Sequence, residues 1–155
     1  MPVVVIGADT PLGNLIIQAL LARRGQVRAL VTDPEAGARF KELGVKVAVG
    51  DLSDASLVQL VSREAFSAVL VVEAVFDGRE LAFAADPVAL AAAWGEGLNR
   101  AGVRRAIWVQ DQRAEGLERE IGAAPPETAT VNTQGRTPAE VAGEVAALDD
   151  LAELP

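Results

Sequence analysis

The stretch that most limits how this chain can fold is its beginning, MPVVVIGADTPLGNL. Val3, Val4, Val5 and Ile6 are a β-branched run without polar alternation, the pattern of a central parallel strand covered by helices on both faces. Gly7 ends the run. Thr10 and Pro11 are a helix-start pair: a Thr hydroxyl caps exposed amides, and Pro suits the first helical position, where its missing N–H costs nothing. A helix is expected from Pro11 to about Arg24. Its first-turn amides point back at the loop and, with the positive end of the helix dipole, make a site for an anion such as a pyrophosphate.

Strand-like and helix-like stretches alternate beyond this point. Gln26–Val31 reads as strand two, Pro34–Leu43 as a helix, Val45–Val49 as strand three and Ala55 to about Arg63 as a short helix. Ala68–Val72 is strand four, Pro87–Ala101 an Ala-rich helix stopped by Gly102, and Arg105–Val109 strand five. Alternation of this kind implies right-handed βαβ crossovers: an α/β fold with a doubly wound parallel sheet in three α/β/α layers, Rossmann-like. The last third is less regular. Arg113–Ile121 suggests a short charged helix broken at Ala124-Pro125-Pro126, Thr128–Asn132 a sixth strand, and Pro138–Leu151 a helix capped by Thr137 with Glu140 at the capping-box position. Val141, Val145, Leu148 and Leu151 give that helix an apolar stripe for docking on the sheet. A chain of 155 residues, half of them hydrophobic, is read as one minimal domain over 1–155, without a substrate-binding cap.

Composition removes several function classes. The net charge of −8 argues against nucleic-acid or anionic-membrane partners, which reward clustered Lys and Arg. The chain has no Cys, hence no disulfide or thiolate chemistry, and no His, the commonest acid/base catalyst and metal ligand, so no metal site is expected. With no apolar run approaching the roughly 20 residues of a membrane span and no basic leader, the expected location is cytoplasmic.

A dinucleotide site needs glycines where the chain turns sharply, where backbone approaches pyrophosphate and where helix packs on strand. GADTPLG supplies Gly7 and Gly13, with Thr10 where a middle glycine is expected. The same residues admit a purely architectural reading: Gly7 ends a strand, Thr10-Pro11 starts a helix and Gly13 allows close packing. Asp33 lies at the spacing beyond the motif where an acidic residue holds the adenosine ribose; standing before Pro34, it is equally a turn residue.

GADTPLG followed by VRALVTDPEAGARFKELGVKVAVGDLSD resembles the atypical short-chain dehydrogenase/reductases, especially the NmrA-like NAD(P)-binding group, over roughly residues 3–110. TPAEVAGEVAALDDL is similar to the late helix of that family, and AGVRRAIWV to its approach to strand five. The resemblance implies that the GxxGxxG turn, here Gly7, Thr10 and Gly13 with Asp9, Pro11 and Leu12 between, holds the pyrophosphate. It also implies that Asp51 and Leu52 after strand three hold adenine, and that Thr32 and Asp33 stand beside the ribose. NADP-preferring relatives often carry Arg where this chain has Thr32, so the 2′-phosphate loses a bidentate partner and meets an acid instead. The expected cofactor is therefore NAD or NADP, with a tilt to NAD, although Arg28 and Arg39 remain within reach of a phosphate.

Active members of the family use a Tyr-x-x-x-Lys pair, usually with a Ser after strand five. This chain has no Tyr. Gln110, Asp111 and Gln112 follow strand five, and its lysines, Lys41 and Lys46, lie in the first half. No catalytic residue is assigned; the carboxyls near the strand ends, Glu73 and Asp111, would need strongly raised pKa values to act as acids, and otherwise are solvated or capping groups. Trp108 within IWV reads as core, and Trp94 as a packing or interface residue. Ala82–Trp94 is the candidate surface for a homo-oligomer or protein partner. Three readings follow: a non-catalytic, cofactor-responsive NAD(P)-binding module, a minimal oxidoreductase completed by a partner subunit, and a scaffold that kept the fold without the ligand.

Overall fold

The computed structural model describes residues 2–23, 26–80, 82–114, 116, 117, 119 and 125–155. Its strands are β1 (Val3–Ile6), β2 (Val27–Val31), β3 (Lys46–Val49), β4 (Ser67–Val71), β5 (Arg105–Gln110) and β6 (Glu127–Asn132). Its α-helices are α1 (Pro11–Arg23), α2 (Pro34–Glu42), α3 (Ala55–Ser62), α4 (Glu73–Phe76), α5 (Pro87–Ala101) and α6 (Pro138–Asp150). All six strands pair in parallel in the order β3-β2-β1-β4-β5-β6, the doubly wound sheet expected from the alternation.

β1 sits between β2 and β4 and is buried along its whole length. Alternate side chains serve opposite layers, as a strand's twofold repeat requires. Val4 and Ile6 pack with Val58, Leu90, Trp94 and Leu98 of α3 and α5. Val3 and Val5 pack with Ile16, Ile17 and Leu20 of α1 and with Val141 and Val145 of α6. Neither layer alternates with polar residues on the central strands, which explains the continuous apolar runs.

Several limits lie one residue from those expected, because ladder pairing rather than composition decides them. Ser67 joins β4 opposite Val3 and Arg105, and Gln110 extends β5 opposite Asn132. The short α4 was not anticipated; 112–114 form one 3-10 turn, and residues 115, 118, 120 and 121 of the helix expected over 113–121 lie outside the described residues, as does Arg24. Trp94 and Trp108 are both fully buried, ring centroids 6.3 Å apart, and the Trp94 indole N–H donates to the Leu52 carbonyl at 2.8 Å. Within the expected interface Ala82–Trp94, Leu90, Ala91 and Trp94 thus face the core, since α5 lies flat on α3 and the sheet. Ala82, Phe83, Ala85, Asp86, Val88 and Ala92 are exposed.

A buried cation closes the C-terminal edge. Arg105, at the start of β5, is fully buried; its Nη1 donates to the carbonyls of Leu148 and Leu151 at 2.7 Å, and its Nη2 to Glu127 Oε1 at 3.1 Å. The guanidinium lies 4.9 Å from the centroid of the Phe66 ring. These carbonyls belong to the last turn of α6 and the residues after it, where no intrahelical donor is available. Arg105→Met is expected to lower unfolding free energy by about 3 kcal/mol, because charge-assisted bonds to buried carbonyls and a carboxylate are lost together. Urea denaturation at neutral pH measures it, and a loss below about 1 kcal/mol would mean that water replaces the guanidinium without difficulty.

Candidate functional site

The reversal of strand order between β1 and its neighbours β2 and β4 places a crevice at the carboxyl ends of these strands, the usual ligand position in open α/β sheets. The GADTPLG turn forms its floor. Gly7 has φ +79°, and a Cβ there would stand 2.8 Å from Ala74 Cβ. A Cβ on Gly13 would stand 2.5 Å from the Ala8 carbonyl oxygen, so α1 reaches the turn only because residue 13 has no side chain. Both glycines are therefore required by contacts within the protein. Thr10 caps α1: its Oγ1 accepts from the Gly13 amide at 2.9 Å. Pro11 has no N–H to offer, so of the first three helical residues only Leu12 keeps an amide for a ligand.

Asp9 projects from the same turn to the end of β2. Its Oδ2 accepts from the Thr32 amide at 3.0 Å, the Thr32 hydroxyl at 3.1 Å and the Asp33 amide at 3.1 Å. Its Oδ1 accepts from Arg79 Nη1 at 2.8 Å. Arg79 comes from the segment after α4, donates also to Thr32 Oγ1, and is paired on its other side with Asp77. Burial pushes the Asp9 carboxyl up, but the Arg79 ion pair and the two backbone amides outweigh it and hold the group below its ordinary value. Asp33 caps α2, accepting from the Glu35 amide at 3.0 Å, with its side chain exposed at the rim. Ala8, Thr10, Asn14, Asp33 and Arg39 border a cleft of about 320 Å³ here.

Asp51 and Leu52 lie beyond the end of β3. Leu52 is buried and its carbonyl is taken by Trp94. Asp51 Oδ1 accepts from the amide and hydroxyl of Ser53, and Oδ2 from the Phe83 amide at 3.0 Å; the Ala84 amide donates to Ser53 Oγ. The segment between α4 and α5 thus folds back over the loop after β3. Desolvation opposes ionisation of Asp51, but these hydrogen bonds prevail and lower its pKa.

A second cleft, of about 200 Å³, opens between the start of α1 and the ends of β4, β5 and β6. It brings Glu73 and Asp111 together with Arg113, Thr133 and Arg136. Asp111 is bonded by the Arg113 side chain, which depresses its pKa and keeps it a carboxylate rather than a proton donor. Glu73 Oε2 is shielded from solvent without a hydrogen-bond partner among the described residues. Arg28 lies at the opposite end of β2, donating to the Val61 carbonyl, away from both clefts. Arg79 and Arg136 escaped the sequence reading, since each comes from a loop whose composition signals only a turn. No group of His, Cys, Asp or Glu among the described residues is placed to hold a metal ion, and no described helix is long and apolar enough to cross a membrane.

The model of the NmrA-like family matches residues 2–116. Among solved structures, the chain is similar to an NADPH-dependent quinone oxidoreductase from Escherichia coli in complex with NADPH, at 18% identity and TM-score 0.59, over 76% of this chain and 41% of that one. It is similar to the Citrobacter sp. triphenylmethane reductase complexed with NADP(H), at 20% identity and TM-score 0.60, over 95% and 46%. It thus spans less than half the length of these two proteins. An anaerobillin reductase from Escherichia coli O157:H7 matches at 18% identity and TM-score 0.73, over 99% of this chain and 92% of that one. At these identities the likeness shows a shared fold. No curated protein matches.

The Asp9 cluster has a pH signature. A carboxyl with a depressed folded pKa stabilises the fold fully above its unfolded value, about 3.9, and loses that contribution as pH falls through the lower folded value. Asp9→Asn is expected to be less stable than wild type at pH 7. The gap in Tm should close as pH is lowered below about 4; a gap independent of pH would show that charge plays no part.

Proposed function

The chain belongs to the NmrA-like family, and on that premise we propose that it is an NAD(P)-binding module that responds to the cofactor without catalysing a reaction by the tyrosine chemistry of its relatives. The observation that carries this reading is the cleft of about 320 Å³ at the switch point of the sheet, bounded by the GADTPLG turn and the start of α2. The cleft suits a ribosyl pyrophosphate: Thr10, Pro11 and Asn14 at the positive end of α1 border it, and Asp33 at the rim accepts from ribose hydroxyls. The NADPH and NADP(H) complexes of two similar proteins support this ligand class. The dinucleotide supplies hydride chemistry when bound. This chain's residues bind and orient it, but with no Tyr, His or Cys they hold no proton donor of the usual kind, and Asp111 is kept ionised by Arg113.

Asp51 and Leu52 as adenine contacts need the segment between α4 and α5 to yield, because the Phe83 amide occupies one Asp51 oxygen. That requirement gives a cofactor response: adenine binding exchanges a backbone donor of the protein for one of the ligand and removes one of the ties that hold the segment down. A second reading, a minimal oxidoreductase, is favoured by Glu73, which lines the cleft beside the start of α1 and whose Oε2 is shielded from solvent without a partner among the described residues. The fold match to an anaerobillin reductase along 92% of that chain supports this second reading.

Calorimetric titration with NAD, NADH, NADP and NADPH tests the proposal, with Asn14→Glu as control. Asn14 is exposed on the first turn of α1 and borders the cleft. A carboxylate there favours the helix through its dipole while repelling a pyrophosphate, so binding should weaken about tenfold or more without loss of folding. Absence of binding to all four dinucleotides at millimolar concentration would leave the scaffold reading.

A further inference from the structure

The corner where the GADTPLG turn meets the end of β2 is a built anion site, and the anion in it is the protein's own. Two backbone amides, one hydroxyl and one guanidinium converge on Asp9 at 2.8–3.1 Å, and the Asp9 side chain is only 5% exposed. The end of the second strand is also where a dinucleotide's adenosine ribose lies, and where a 2′-phosphate finds its donors when the cofactor carries one. We infer that Asp9 is the residue by which this chain rejects a 2′-phosphorylated dinucleotide, its carboxylate filling from within the site that the phosphate would occupy. The inference rests on the dinucleotide-binding reading above.

A carboxylate and a phosphate are both acceptors, and they compete for one set of N–H and O–H donors. With Asp9 in place, a 2′-phosphate meets a carboxylate instead of donors. Displacing Asp9 means breaking its pairing with Arg79 at a site where water has little access. Asp77, on the far side of Arg79, and Asp33, at the start of α2, add charge of the same sign. An unphosphorylated ribose has no such conflict, because its hydroxyls donate to carboxylates. Arg39 is the competing element, since it lines the same cleft and offers a phosphate an exposed cation.

Asp9→Ser empties the corner, and Asp9→Asn keeps its shape without the charge. Calorimetry should show wild type binding NADH about tenfold or more tightly than NADPH, a factor that either variant reduces and Asp9→Ser reverses. Adenosine 2′,5′-bisphosphate should raise the Tm of Asp9→Ser and leave wild type unchanged. A wild-type preference for NADPH, as Arg39 would produce, overturns the inference, and so does an unchanged ratio in both variants. If wild type binds neither dinucleotide, the binding reading fails, but the corner is still tested by the bisphosphate: stabilisation confined to Asp9→Ser sustains the inference, and an equal response in both proteins overturns it. Should Asp9→Ser not fold, the NADH-to-NADPH ratio of Asp9→Asn decides alone.

Discussion

The N-terminal half of the molecule depends on a gap too narrow for a methyl group. Where α1 leaves the turn after β1, the position a Cβ would take on residue 13 is already filled by the Ala8 carbonyl. Backbone at such a contact cannot rotate aside as a flexible side chain would, so the approach exists only with glycine. The close approach fixes the direction of α1 and lays Ile16, Ile17 and Leu20 on the central strand. It also aims the start of the helix at the crevice, so the contact that holds the layers together is the one that makes a ligand position.

Having made that position, the chain uses many of its polar groups itself. Thr10 takes the Gly13 amide, Asp9 takes the donors at the end of β2, and Asp51 takes those of Ser53 and Phe83. Buried polar groups without partners are costly, so side chains that satisfy one another stabilise this crevice. Under the proposed function, binding is an exchange of hydrogen bonds, with affinity set by how well the ligand's groups match those they replace. The cleft above β4–β6 differs, since Glu73 Oε2 there has no such partner among the described residues.

The sheet and its order of elements were legible because their signals are local. A β-branched run followed by Gly7 and a Thr-Pro start identify β1 and α1 within fifteen residues, and Asp33 before Pro34 and Thr137 before Pro138 mark helix starts beside the chain they cap. Half of the candidate site was legible for the same reason: Gly7, Thr10 and Gly13 meet within one turn. Arg79 was not, because it lies 70 residues from Asp9 in sequence and nothing in FDGRE marks a partner so distant. Leu52 was expected beside a ligand, yet the structure buries it under Trp94, a contact set by how α5 crosses the sheet. The Ala-rich run was ambiguous in principle, since small residues suit packing on a sheet and packing on another molecule equally.

Arg105 carries a consequence for the order in which the protein is made. Its carbonyl partners lie 43 to 47 residues further along the chain, so the ribosome has yet to synthesise them when β5 is complete. Until they emerge, a guanidinium destined for a dry interior has Phe66, water and, once β6 is made, Glu127 beside it, and its Nη1 lacks the carbonyls that satisfy it in the folded protein. The charge is fully paired only when α6, the residues after it and β6 are all in place, which ties that edge of the sheet to α6 as one unit.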